Sequence, residues 1–265
     1  MGSAEQSNFD AAQLASARQF DRQSDHYGKS HILADTSDVA EVLNAISPSA
    51  RGQALDVATG GGHAALRLAQ MGWNVVAGDV SERMLASATR LVIGSGLTMK
   101  PVVFAAESMP FADASFDLVV SRVAPHHFSS PALFVGEAAR VLRRDGHLLV
   151  IDGSVPDADP ETEEWLHRVE KWRDPSHGRF LSRPAWEALV KGAGLEIVSS
   201  GLHPKRQPDL EWYFTTAGTS PENRARVLEA VRDAPESVRA SLSLREDRGT
   251  ISWTWPILRL FARKP

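Results

Sequence analysis

The chain has 265 residues, 43% of them hydrophobic, enough to bury a full core and near the upper size of one domain. A formal charge of −4 with no run of Lys or Arg offers no phosphate-tracking surface, so nucleic acid is not the expected partner. Cysteine is absent, which removes disulfides, thiolate metal sites and thiol nucleophiles together and fits a reducing compartment. No apolar run reaches the length of a membrane span, and the opening MGSAEQSNFD lacks the apolar core of a signal peptide. A soluble, cytoplasmic chain is expected, with residues 1–8 unstructured. Nothing in the pattern separates a monomer from a homodimer.

Residues 10–47 read as helical, with Val39, Val42, Leu43 and Ile46 at helical spacing and Pro48 as the stop. Short apolar runs follow at 54–58, 74–80, 101–106, 117–121 and 147–152, each suited to a buried strand. Helical patterns lie between them at 63–71, 81–93 and 131–143. Gly72 can end the first of these, Ser81 can cap the second, and Ser130-Pro131 can open the third. Strand–helix alternation of this kind implies a parallel sheet covered on both faces. Further on, Trp165, Val169 and Trp172 form a stripe on a helix over 159–172, and 183–191 repeats the pattern. A strand is expected at 194–202, two short helices at 220–243 divided at Pro235, and a last strand over 250–261. Pro256 within that strand implies a bulge.

The stretch LDVATGGGHAALRLA, residues 55–69, passes from strand to helix through Gly60, Gly61 and Gly62. Glycines at such a junction let the backbone come closer to a ligand than a Cβ permits, and helix N-terminal amides favour a carboxylate, a phosphate or a sugar edge. The second strand ends in Asp79, whose carboxylate can accept both hydroxyl hydrogens of a ribose. A tight turn followed by a helix-capping Asp is the plainer alternative. In register with two strands, the pair points to a nucleoside-type cofactor at the crossover of the sheet. The dinucleotide pattern G-x-G-x-x-G fits no placement of these glycines.

Asp56-Val57-Ala58-Thr59-Gly60-Gly61-Gly62 instead resembles the acidic D/E-x-G-x-G-x-G loop of class I S-adenosylmethionine-dependent methyltransferases, with Ala58 in the first glycine position. GDVSERMLASA, AAESMPFADASFDLVVS, HHF and EAARVLRRDGHLLVID are similar to segments of the ubiquinone/menaquinone-methyltransferase-like (type 11) branch. The resemblance implies a Rossmann-like, doubly wound, mostly parallel seven-stranded sheet with an antiparallel last strand. It also implies a helical lid over residues 1–47, a methyltransferase domain over 48–265, and helical insertions at about 156–192 and 208–248.

It implies S-adenosyl-L-methionine as cofactor, with Asp56, Ala58, Thr59, Gly60 and Gly62 around its amino-acid end. Asp79 and Val80 would lie at the ribose, Met84, Ala106 and Glu107 at the adenine, and Ser121, Arg122 and the lid residue Tyr27 also at the cofactor. Ala105 departs from the Asp that the branch often carries there. No metal ligand is expected. Methyl transfer from a sulfonium needs alignment, exclusion of water and, for a hydroxyl or carbon acid, removal of a proton. The resemblance places the site in SRVAPHHFSS, where His127 is the expected base and His126 the second candidate or a loop-ordering residue. A histidine near its ordinary pKa of about 6.5 is largely neutral at cytoplasmic pH. The expected reaction is methylation of a small apolar or aromatic molecule, with O- or C-methylation favoured over N-methylation. A non-methylating cyclase or lyase on the same cofactor, and a non-catalytic cofactor-binding module, stay open.

Overall fold

The computed structural model describes residues 9–28, 31–44, 51–207, 209–247 and 250–265, with the side chains of 24–28 and 31–32 left undescribed. The expectations for Ile46 and Pro48, and for the side chain of Tyr27, lie outside that description. Among the described residues seven strands form one sheet in the order β3-β2-β1-β4-β5-β9-β6. These are β1 (Gln53–Val57), β2 (Asn74–Asp79), β3 (Lys100–Val103), β4 (Phe116–Arg122), β5 (Leu142–Gly153), β6 (Glu196–Arg206) and β9 (Thr254–Arg263). Strand β9 runs antiparallel to both β5 and β6, while the pairings from β3 to β5 are parallel.

Strand periodicity sorts the core. Leu55, Val57, Val119, Leu148 and Val150 point to one layer, and Ala54, Leu118, Val120, Leu149 and Ile151 to the other. The first layer is closed by α6 (Pro131–Val141) and α8 (Arg183–Gly192), through Phe134, Ala138 and Trp186. The second is closed by α3 (Ser37–Leu43) and α4 (His63–Gln70), through Val39, Leu43 and Leu68. Because both faces are covered, the strands read as continuous apolar runs. The chain passes outward from β1 to β2 and β3, then returns to β4 on the other side of β1, which opens a crevice at the carboxyl ends of β1 and β4.

The remaining helices build a second layer with its own core. Val155, Trp165, Leu166 and Val169 on and before α7 (Pro160–Arg173) pack with Tyr213 and Phe214 of α9 (Leu210–Ala217). Val227 and Val231 of α10 (Pro221–Arg232), Val238 of α11 (Glu236–Ser241) and Trp253 complete it. A buried carboxylate ties this layer together: Tyr213 Oη donates to Glu170 at 3.0 Å, Trp255 Nε1 at 3.3 Å and Arg173 Nη1 at 3.2 Å.

Two stretches differ from the sequence expectation. The N-terminal helical run divides into α1 (Ala11–Gly28), α2 (His31–Ala34) and α3. At the break, the carbonyls of Leu33 and Asp35 leave the helical ladder and accept from Arg122 at 3.0 and 2.6 Å. The expected single last strand is two elements. β7 (Arg245–Asp247) pairs with β8 (Thr250–Ser252) as a separate hairpin, and the sheet strand begins only at Thr254. Pro256 carries no bulge. It sits opposite Pro204 of β6 and beyond the end of the β5 pairing, accepting from Ser154 N, so no ladder position requires its missing amide hydrogen.

Candidate active site

The β1–α4 turn places three left-handed residues in a row of five: Ala58 at φ 55°, Gly60 at 53° and Gly62 at 87°. The glycines serve different ends. A Cβ on Gly60 would meet nothing within 4 Å, so this backbone faces an open cleft. A Cβ on Gly62 would lie 2.7 Å from Cα of Ala88, so this glycine lets α4 pack against α5 (Glu82–Gly94). Gly62, expected at the cofactor, is not among the residues that line the cleft and packs toward Ala88, while Gly60 and Gly61 line it.

Two buried carboxylates flank the turn. Asp56, 1% exposed, accepts from Thr59 Oγ1 at 2.6 Å, and burial pushes its carboxyl up to about 7. Asp79, at the end of β2, accepts from Gly60 N and Ser81 N, both at 2.9 Å. Burial pushes Asp79 up to about 6, opposed by those two backbone hydrogen bonds. Ser81 caps α5 by accepting from Met84 N at 3.0 Å, worth about 1 kcal/mol, while its hydroxyl donates to Asp21 of α1 at 2.5 Å. Asp79 thus keeps its carboxylate turned to the cleft while a neighbour does the capping.

The cleft holds about 930 Å³, counting the solvent at its mouth. Asp56, Ala58, Thr59, Gly60, Asp79 and Val80 line one end, with Met84 and Ala106 beyond them. Glu107 and Arg122 also reach the lining, yet both are engaged elsewhere. Glu107 accepts from Gln13 Nε2 at 2.8 Å and from Ser129 N at 2.7 Å. The Arg122 guanidinium grips both oxygens of Asp38, at 3.0 and 2.9 Å, besides the two carbonyls of the N-terminal break. Arg122 therefore binds the N-terminal helices to β4 rather than standing open to a cofactor. Ser121 is fully buried, and its hydroxyl donates to Val57 O at 3.0 Å, joining β4 to β1 below the cleft.

Helix α1 forms the roof. Gln13, Ser16 and Phe20 recur at helical spacing on the face it turns to the cleft. Ser16 Oγ is buried there with no hydrogen-bond partner. Sequence reading missed these three, as it missed Leu33, Phe104 and Phe128. The helical spacing of the roof residues was visible, but the face that covers the cleft is chosen by tertiary anchors such as Gln19 Nε2, which donates to Ala217 O of α9 at 2.6 Å.

At the other end, a short 3-10 turn over Pro125–His127 follows β4. His127 lines the cleft, its ring meeting Phe20 edge-on at 4.9 Å. His126 turns away and its Nδ1 lies 2.7 Å from Asp152 Oδ1 of β5. Burial lowers the pKa of His126, but the charge and hydrogen bond of Asp152 outweigh it and raise the imidazole above its ordinary value. His127 behaves oppositely. Burial first, then the His126 charge, pull it down to about 3, so it does not carry the ordinary histidine basicity expected from sequence. Val123, 40% exposed at φ 53°, presents an apolar, β-branched side chain in a strained conformation at the same end. Among the described residues no group of three or more His, Asp or Glu side chains is placed to hold a metal ion.

Sheet order, crossover crevice and strand–helix alternation together define a Rossmann-like α/β protein. Residues 55–150 match the model of a methyltransferase-domain family. The chain is 32% identical over 222 residues to the uncharacterised methyltransferase YcgJ of Bacillus subtilis (strain 168), covering 83% of this chain and 87% of that one. The crystal structure of a Bacillus halodurans C-125 protein assigned to the methyltransferases superposes with a TM-score of 0.81 at 32% identity, over 86% of this chain and 99% of that one. The YcgJ crystal structure gives 0.78 at 26% identity, over 85% and 97%. The chain belongs to the class I S-adenosylmethionine-dependent methyltransferases. No helix among the described residues is long and apolar enough to cross a membrane.

Proposed function

We propose that the cleft binds S-adenosyl-L-methionine and directs its methyl group to a hydroxyl on a small, apolar or aromatic molecule. The observation that carries the cofactor reading is the Asp79 carboxylate. It is buried at the edge of the cleft with two backbone donors and unused acceptor capacity, beside a Gly60 backbone that faces open space. A ribose supplies the two hydroxyl donors such a carboxylate lacks. Asp56 and Thr59 lie at the turn, where the amino-acid end would be held, and Met84, Phe104 and Ala106 offer apolar surface for an adenine. The cofactor, when bound, supplies an electrophilic methyl group on a sulfonium.

The chain's own residues do the rest. Gln13, Ser16 and Phe20 on α1 act as a lid that excludes water, and Phe20, Val123 and Phe128 favour an apolar or aromatic acceptor. His127 receives a hydrogen bond from the acceptor hydroxyl and aligns its oxygen. Burial and the neighbouring His126 charge hold His127 well below ordinary imidazole basicity, which makes it a poor base for ionising a carbon acid before attack. A hydroxyl, by contrast, becomes strongly acidic as the new bond forms on its oxygen, so a weak base suffices late in the reaction. This supports O-methylation over C-methylation.

Calorimetry with S-adenosylmethionine, S-adenosylhomocysteine and NAD tests the cofactor reading. The first two should bind, and tight binding of NAD would overturn it. Incubation with a panel of phenols and hydroxylated aromatics, monitored for S-adenosylhomocysteine and methyl ether, tests the acceptor reading. Cofactor bound without any S-adenosylhomocysteine being formed would favour a non-methylating chemistry in the cleft.

A further inference from the structure

We infer that Asp174 and Ser176, in the loop between α7 and α8, are positioning residues that hold His127 as its Nδ1–H tautomer and so present Nε2 to the cleft as a hydrogen-bond acceptor. The loop lies outside residues 55–150, the part of the chain matched to the methyltransferase-domain family.

Asp174, 2% exposed, is an ionisable carboxylate whose oxygens accept when ionised. Its Oδ1 takes the Ser176 hydroxyl at 2.7 Å and the Ser176 amide at 2.8 Å. A hydroxyl has one hydrogen, and here it is spent on the carboxylate. Toward His127 Nδ1, 3.3 Å away, Ser176 Oγ can then only accept. The second neighbour of Nδ1 is the Ser176 carbonyl oxygen at 3.2 Å, which also only accepts. Two acceptors facing one ring nitrogen require that nitrogen to carry the proton, which leaves the lone pair on Nε2.

The loop is held where this geometry needs it. Gly178 N and Arg179 N both donate to His126 O, at 2.9 and 3.0 Å, and His177 N donates to Asp174 O at 2.9 Å. A Cβ on Gly178 would fall 2.7 Å from that His126 oxygen, so only glycine allows the loop so close to the 3-10 turn. The other groups against the ring favour a neutral imidazole. His126, with a centroid 4.1 Å away, is paired with Asp152, and His177 lies 6.4 Å away. A lone pair at the cleft selects acceptors that bring their own O–H or N–H and gives no purchase to an ether or a bare carbonyl. That last step rests on the methyl-transfer reading; the tautomer does not.

The test is nitrogen NMR of the full chain labelled with 15N-histidine and saturated with S-adenosylhomocysteine at pH 7, with His127 assigned by its loss in His127→Gln. A protonated Nδ1 and a pyridine-type Nε2 are expected; an Nε2–H form or an imidazolium would overturn the inference. In Asp174→Asn an amide oxygen still accepts from Ser176, so the tautomer should persist. In Asp174→Ala the anchor is gone, and the major form should shift to Nε2–H, which a free imidazole favours. An unchanged tautomer in folded Asp174→Ala would remove Asp174 from the role, and the wild-type spectrum decides the rest if that variant does not fold. Failure of the wild type to bind S-adenosylhomocysteine would instead count against the functional reading, since the apo spectrum still reports the tautomer.

Discussion

The two ends of the cleft handle charge in opposite ways. At the β1–β2 end, Asp56 and Asp79 are buried with few donors, and burial raises both carboxyls toward neutrality. At the β4 end the charged groups are already paired: Arg122 with Asp38, and His126 with Asp152. What that end turns to the cleft is a neutral imidazole, Phe20, Phe128 and Val123. One end is short of hydrogen-bond donors and waits for a polar ligand. The other has settled its own electrostatics, leaving surface suited to an apolar one.

The largest way to break this division is Glu170→Ala, which removes the carboxylate shared by Tyr213, Trp255 and Arg173. Breaking a buried pair of this kind should cost about 3–5 kcal/mol of stability by denaturant titration. Affinity for S-adenosylhomocysteine in the folded fraction should stay unchanged, because the hydrogen bonds of Glu170 lie in the second layer and it does not line the cleft; a parallel loss of affinity would show that the second layer is coupled to the cleft.

Asp79→Ala strikes the other end. It should weaken cofactor binding by about 2–4 kcal/mol, the scale of losing a charged bidentate hydrogen bond, with thermal stability little altered. A normal dissociation constant by calorimetry would reduce Asp79 to an organiser of its own turn.

The two ends also respond differently to pH. Asp79 at about 6 and Asp56 at about 7 lie above the ordinary carboxylate value of about 4. Between those values the folded chain holds more protons than the unfolded one, so these two acids make the cofactor-free chain more stable as pH falls from 7 toward 4. His127, lowered to about 3, holds fewer protons folded than unfolded between 3 and the ordinary value, so its contribution falls over the same range. Asp79→Asn should therefore remove a gain on acidification, and His127→Gln a loss. A ribose needs the ionised acid, so S-adenosylhomocysteine affinity should decline toward about tenfold per pH unit below about pH 6. Calorimetry from pH 5 to 8 reads this directly, and a flat profile would contradict the burial of Asp79.

The smallest effect is expected at Val123→Gly. Glycine relieves about 1–2 kcal/mol of left-handed strain but costs backbone entropy, so stability should change by less than about 1 kcal/mol. Cofactor affinity should hold while KM for an aromatic acceptor rises. An unchanged KM would mean that the exposed valine does not meet the acceptor.

The sheet and the β1–β2 end of the cleft were largely legible because their determinants are local. Leu55 to Asp79 form one continuous stretch in which strand, turn and helix follow each other, and Gly60 needs its positive φ whatever packs around it. Gly62 shows the limit even here. Its sequence position matches Gly60, yet its neighbour is Ala88 of α5, and no spacing rule announces that contact. Pro256 departs from its expected bulge for a similar reason: its cost depends on which strands flank it, and opposite Pro204 it costs no ladder bond.

By itself the sequence determined the strand–helix order, the open turn at Gly60 and the acid at Asp79, since each follows from side-chain periodicity or backbone conformation within a few residues. Only the tertiary structure decided the character of the histidines. Position in HHF favours His127 over His126 as the base, but the proton each ring holds is set by Asp152 from β5 beside His126 and Ser176 from the α7–α8 loop beside His127. Burial and paired charge set an imidazole's proton affinity, and both are properties of what distant segments bring to the ring.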